Sequence, residues 1–187
     1  LMVDEAHATG LYGANRRGLA EALGVSDRIE IQMGTLGKAL GASGGYVCGS
    51  RTLIDFLVNR ARSFIFSTAP VPAAAAAATA GIQLVQSGEG SERTRRLWQR
   101  VAELKSGIRN PKSEVESAII PLIVGDESQA VATASALRER GLFVPAIRYP
   151  TVARGAARLR ITLTADHSAE DVGELTKAIS QIVNRQS

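Results

Sequence analysis

Three short apolar runs, each closed by glycine or an acidic residue, punctuate the first fifty residues: LMVD (1–4), IEIQMG (29–34) and GGYVCGS (44–50). Runs this short with glycine at their ends are strand-like rather than helical. Helical stretches follow them. DFLVNRARS reads as the end of a helix that leads into an extended FIFSTAP. PVPAAAAAATAGIQLVQSGEG reads as a helix with Pro72 in its first turn and Gly88 as its stop. SERTRRLWQRVAELKSG puts Leu97, Val101 and Leu104 on one face with Trp98 beside them, and ends at Gly107.

The pattern changes near residue 108. AIIPLIVG (118–125) and LFVPAI (142–147) read as strands separated by the helix SQAVATASALRERG, and ARLRITL (157–163) alternates as a half-exposed strand. The last helix opens with Ser168 and Asp171 at capping-box spacing and carries Val172, Leu175, Ile179, Ile182 and Val183 on its apolar face. Residues 1–85 therefore read as part of a larger α/β sheet domain. Residues 86–187 read as a connecting helix and a small α/β domain. No internal repeat or low-complexity linker interrupts them.

Composition narrows the function classes. The chain has 187 residues, 45% of them hydrophobic, with a net charge of +4 and 4% aromatics. So few rings do not suit a stacking reader of single-stranded nucleic acid. The basic stretch ERTRRLWQR opens with Glu92 and is followed by Glu103, so its arginines read as part of a solvated helix face. The single cysteine, Cys48, rules out an internal disulfide or a multi-cysteine zinc site, and its apolar setting predicts an inert core thiol. No apolar run approaches the roughly 18 residues of a membrane span. No signal peptide is visible, so the cytosol is the expected compartment.

The stretch VDEAHATG joins a strand to a cluster of ionisable residues. As the carboxylate motif of an NTPase it would need a phosphate loop ending in Gly-Lys-Ser or Gly-Lys-Thr. The one Gly-Lys pair, Gly37-Lys38, is followed by Ala39, stands five residues after Gln32 rather than a glycine, and lies downstream of the acidic strand. Singly, Lys38 reads as a helix-end charge and Asp4 as an N-cap. Together with His7 and Thr35, they read as one site. Asp4 would end its strand at the ligand edge of an α/β sheet, and a carboxylate buried there needs a cationic partner such as a protonated pyridine nitrogen. A desolvated lysine in a glycine-flanked turn is a nucleophile toward an aldehyde. Lysine plus aspartate is a recognised pair for pyridoxal phosphate, one at the aldehyde and the other at the ring nitrogen.

VDEAHATGLYG, RIEIQMGTLGKALGASGGYVCGS, RARSFIFSTAPVPAA and RLRITLTADH closely resemble the α-oxoamine synthases, fold-type I pyridoxal phosphate enzymes. The resemblance runs the length of the chain. It implies the C-terminal part of a fold-type I transferase large domain plus a small C-terminal α/β domain. It also implies that Lys38 holds pyridoxal 5'-phosphate covalently, Asp4 pairs with the ring nitrogen, His7 hydrogen-bonds the phenolic oxygen and Thr35 contacts the phosphate. Ser67 and Thr68 match positions that reach the phosphate of the neighbouring subunit, which implies a homodimer with a shared active site. Arg160, in RLRIT, matches the arginine that grips the amino acid carboxylate, and Thr151 faces the substrate.

GLAEALGVSDRIEIQMGTLGKALG, NRARSFIFSTA and VPAIRYPTV look most like the members that join L-alanine to a pimeloyl thioester for biotin synthesis. Tyr149, Ala153 and Ala156 stand where Pro, Pro and Thr are common in the family, and the loop GIRNPKSEVES is short for it. Family chains extend well beyond this length. The expectation is a preceding half that supplies an imidazole stacked on the cofactor ring, backbone donors to its phosphate and part of the acyl-CoA channel. Two other readings stand beside this one: a relative using glycine or serine with a different acyl-CoA, and a non-catalytic fragment acting as an interaction module.

Overall fold

The computed structural model describes residues 1–108 and 116–184, with side chains through 182. Residues 109–115, most of the stretch GIRNPKSEVES, and the side chain of Val183 lie outside the described residues. The chain forms two compact units, residues 1–94 and residues from 95 onward.

The first unit is built on a three-stranded sheet of β1 (Met2–Asp4), β2 (Ile31–Thr35) and β3 (Gly45–Gly49), in that order. β1 runs parallel to β2 with Asp4 opposite Met33, and β3 returns antiparallel with Tyr46 opposite Gly34. A parallel pair needs a long crossover. Here it contains the short helix α1 (Leu19–Ala22). After β3, Ser50 caps α2 (Arg51–Arg60) by accepting the Leu53 N–H, and α3 (Arg62–Ile65) and α4 (Pro72–Gln86) follow. Pro72 starts α4, where its missing N–H costs no hydrogen bond.

Three local expectations change in this unit. Phe64 and Ile65 are helical rather than extended, because the chain makes one more turn after Ala61. Ser87 rather than Gly88 ends α4, and Gly88 begins α5 (Gly88–Gly107). Cys48 is exposed rather than in the core. It lies on β3, an outer strand with no buried residue. The unit's apolar burial is small, with Ala20, Leu40 and Ala78 inside and Phe56, Phe64, Phe66 and Val71 exposed.

The second unit carries the larger core. Its sheet has the order β4-β6-β5, all antiparallel: β4 (Ile119–Gly125), β5 (Ala146–Ile147) and β6 (Ala157–Thr162). Pro121 is tolerated in β4 because β4 is an outer strand. Only Ala146 and Ile147 of the expected LFVPAI strand form β5; the Pro145 carbonyl still accepts the Arg160 N–H, but Pro145 has no N–H to extend the ladder. β6 alternates as its sequence predicts, with Ala157, Leu159 and Ile161 buried. They join Ala130 and Leu137 of α6 (Glu127–Arg138) and Val172, Leu175, Ile179 and Ile182 of α7 (Ala169–Asn184) in the core. Leu97, Val101 and Leu104 of α5 are buried as well. Among the described residues no helix is long and apolar enough to cross a membrane.

The start of α7 is a reciprocal capping box. Asp171 Oδ2 accepts the Ser168 N–H at 2.7 Å, and Ser168 Oγ accepts the Asp171 N–H at 3.1 Å. The Ser168 N–H holds the Asp171 carboxyl below the usual Asp value of 3.8, helped by the Ser168 hydroxyl and the His167 charge. A lowered folded-state value stabilises fully above the unfolded value and is lost as pH falls through the lowered one. Ser168→Ala should therefore cost about 0.5–2 kcal/mol in denaturant unfolding at neutral pH. Asp171→Asn should flatten the acid limb of stability below pH 3.8.

Candidate active site

Asp4 ends β1, and its Oδ1 accepts the Ala6 N–H at 2.8 Å, turning the chain out of the sheet into the bend that carries His7. Glu5 anchors that bend. Its N–H donates to Met33 O at 2.8 Å, and its carbonyl accepts the N–H groups of Ala8 and Thr9 at 2.8 and 2.9 Å. Thr35 ends β2, parallel to β1, so Asp4 and Thr35 stand at the same sheet edge. The Thr35 hydroxyl donates to Gly44 O and accepts the Gly37 N–H, both at 3.2 Å. Its proton is committed to a carbonyl, so a phosphate contact would require the hydroxyl to rotate.

Lys38 lies in the loop that leaves this edge. Leu36 N–H bonds Gly44 O at 2.9 Å, Ala42 N–H bonds Leu36 O at 2.8 Å and Gly41 N–H bonds Lys38 O at 3.0 Å. The loop is thus closed by its own backbone before any ligand arrives. Gly81 of α4 meets it from outside: a Cβ there would lie 2.2 Å from Leu40 O. Only glycine lets the helix approach so closely.

Asp4, His7 and Lys38 are exposed and Thr35 is half-buried. The expected burial of Asp4 and desolvation of Lys38 are not found, because both stand at the open end of a three-stranded sheet. Ser67 and Thr68 follow α3 in the same unit and are exposed, with the Ser67 hydroxyl turned back to donate to Ser63 O.

Sequence reasoning passed over three groups. Glu5 is buried and accepts the N–H groups of Leu19 and Ala20 at 3.0 and 2.7 Å, so both carboxylate oxygens are spent on the start of α1. A Cβ at Gly18 would come within 2.7 Å of this carboxylate. Nothing in the spacing separates this acid from its neighbour Asp4. Thr9 Oγ1 and Tyr46 Oη hydrogen-bond at 2.7 Å. Gly81 carries a packing signal legible only once α4 is placed.

Arg160 and Thr151 belong to the second unit. Arg160 lies in β6 opposite Pro121, and its N–H donates to Pro145 O at 2.9 Å. It is half-buried and lines a cavity of about 580 Å³ with Phe143, Thr162, His167, Asp171 and Leu175. Thr151 is exposed after the cis Tyr149–Pro150 bond, with its N–H on Arg148 O at 3.0 Å. The Arg154 guanidinium covers the Tyr149 ring at 4.3 Å from its centroid.

A family model described as aminotransferase class I and II matches residues 1–179. The chain belongs to that family. Among curated members it is 50% identical over 186 residues to the 8-amino-7-oxononanoate synthase of Anaeromyxobacter dehalogenans strain 2CP-1, covering 98% of this chain and 46% of the relative. The chain spans about half the length of the curated relatives it matches. A serine palmitoyltransferase from S. paucimobilis, solved with a bound PLP–myriocin aldimine, superposes with a TM-score of 0.90 at 28% identity, over 98% of this chain and 47% of that one. The 8-amino-7-oxononanoate synthase of Francisella tularensis superposes with a TM-score of 0.85 at 27% identity, over all of this chain and 55% of that one. The expected class, an α/β portion of a fold-type I transferase, is the fold of these neighbours.

Two substitutions test how the site is held. Gly81→Ala drives a methyl into the Leu40 carbonyl and should cost about 1–3 kcal/mol, measured by denaturant unfolding. Glu5→Gln puts an NH₂ group against a backbone N–H and should destabilise by about 1–3 kcal/mol, also at neutral pH.

Proposed function

We propose that this chain is part of an α-oxoamine synthase that binds pyridoxal 5'-phosphate and joins L-alanine to a pimeloyl thioester. The products are 8-amino-7-oxononanoate, CO₂ and the free thiol of CoA or a carrier protein, in biotin synthesis. One observation carries the reading: a carboxylate, an imidazole, a hydroxyl and an amine gather where β1 and β2 end, in a chain half identical to enzymes of that name. That donor set fits the cofactor. A carboxylate suits a protonated ring nitrogen, an amine suits an aldehyde carbon and hydroxyls suit a phosphate.

When bound, pyridoxal phosphate supplies an electron sink for negative charge at the amino acid α-carbon. The residues of this chain do the rest. Asp4 keeps the ring nitrogen protonated. Lys38 would bind the aldehyde carbon, and its amine, once displaced by alanine, would take the α-proton. The same amine would return a proton to that carbon after CO₂ leaves, while the thiolate expelled as the carbon–carbon bond forms would take its proton from solvent. His7 donates to the phenolic oxygen and Thr35 to the phosphate. Arg160 grips the alanine carboxylate with a two-pronged guanidinium, and Thr151 lies beside the substrate. Residues 1–85 then form part of the cofactor-binding large domain, and residues 86–187 the connecting helix and small domain.

Ser67 and Thr68 serve the site of a second subunit in a homodimer. What supports a partner surface is the row of exposed apolar side chains just before them, with Phe64 at 64% and Phe66 at 75% exposure. A cytoplasmic location is part of the same proposal. A second reading, serine or glycine with another acyl-CoA, is favoured by the close superposition on serine palmitoyltransferase.

In the full-length protein, pyridoxal phosphate should give a visible absorbance band that L-alanine perturbs and Lys38→Ala abolishes. A folded protein without that band returns the chain to the interaction-module reading. Feeding alanine, serine and glycine separately with several acyl-CoAs decides the substrate pair, and turnover with serine alone would overturn the first choice. Arg160→Lys should raise the KM for alanine about tenfold or more while leaving the cofactor band in place, because a point charge replaces the bidentate fork.

A further inference from the structure

Tyr46 stands on β3, and its hydroxyl meets the Thr9 hydroxyl at 2.7 Å in a half-buried setting. Thr9 follows β1, at the opposite side of the sheet from β3. Between them lies β2, and the phenol crosses it at Gly34. A Cβ on Gly34 would come within 2.4 Å of Tyr46 Oη and 2.5 Å of Cζ. The middle strand therefore has a glycine at the one place where a side chain would block the crossing. That glycine is one residue before Thr35 and four before Lys38.

The crossing fixes a particular stretch of chain. Glu5 is tied to β2 through its N–H on Met33 O, and Thr9 is tied to β3 through Tyr46. Only Ala6, His7 and Ala8 lie between these anchors. His7 is at the centre of a span held at both ends, one end by the strand that leads to Thr35 and Lys38. We propose that Tyr46, acting through Thr9, is a positioning residue that sets the His7 imidazole against the cofactor. This rests on the cofactor reading given under Proposed function and assigns to Tyr46 no contact with substrate or cofactor.

The test uses the full-length protein and two readouts besides turnover: retention of pyridoxal phosphate and the pH midpoint of its visible band. That midpoint follows the proton shared by the Lys38 nitrogen and the phenolic oxygen, and His7 would donate to that oxygen. Tyr46→Phe and Thr9→Val should each shift the midpoint and weaken cofactor retention about threefold to tenfold, the range of one hydrogen bond. The double variant should be no worse than either single one, since both remove the same bond. Thr9→Ser keeps the hydroxyl and should behave as wild type. In a His7→Asn background Tyr46→Phe should leave the midpoint where His7→Asn puts it, an outcome that a general loosening of the fold would not produce. A wild-type midpoint in Tyr46→Phe, or an added shift in the His7→Asn background, overturns the proposal. A wild-type protein that binds no pyridoxal phosphate overturns the cofactor reading instead, and this assignment with it.

Discussion

The parallel pairing of β1 with β2 is the constraint on which the site depends. Parallel strands end at the same edge, so whatever follows each of them is delivered to one place. β1 ends at Asp4 and leads into the bend bearing His7, and β2 ends at Thr35 and leads into the loop bearing Lys38. An antiparallel pairing would have sent the two sets to opposite ends of the sheet. The intervening crossover is held by Glu5, whose buried carboxylate ties the start of α1 to the end of β1.

The second constraint is close approach. Two glycines remove side chains where backbone or ring must come near: Gly81, where α4 meets Leu40, and Gly34, where Tyr46 crosses β2. Both serve the Lys38 loop and its neighbours rather than a hydrophobic core, and the first unit has little of one. Its buried apolar residues are small or few, whereas the second unit buries nearly the whole inner faces of β6, α6 and α7. The chemistry thus sits mainly on the unit with less apolar burial, where loops closed by their own backbone hydrogen bonds do much of the positioning.

Much of this was legible in the sequence, and the failures have physical causes. Apolar periodicity located the strands and the longer helices but missed α1 and α3, and capping chemistry placed the start of α7 at Ser168 and Asp171. The motif residues Asp4, His7, Thr35 and Lys38 were legible because strand ends and glycine turns mark them locally. Cys48 misled because an apolar run says that a strand exists, not that both its faces are covered, and β3 is an outer strand. LFVPAI misled because a proline in the run removes a ladder donor and leaves two paired residues. The Thr9–Tyr46 bond was invisible because its partners are 37 residues apart and join only when the sheet is assembled.

The adjacent acids Asp4 and Glu5 show why a four-letter motif underdetermines chemistry. Here the two acids part as the chain leaves the strand, and each takes a different partner. Asp4 is exposed at the sheet edge, accepting one backbone N–H, with carboxylate capacity left for a ligand. Glu5 turns inward and gives each of its oxygens to a backbone donor at the start of α1. An NTPase reading needs acidic groups working with a phosphate loop at one ion, and here one of the two acids is spent as a helix anchor. The same spacing that suggests paired carboxylates instead produces one exposed acid at the sheet edge and one architectural acid, and the second holds in place the bend that carries His7.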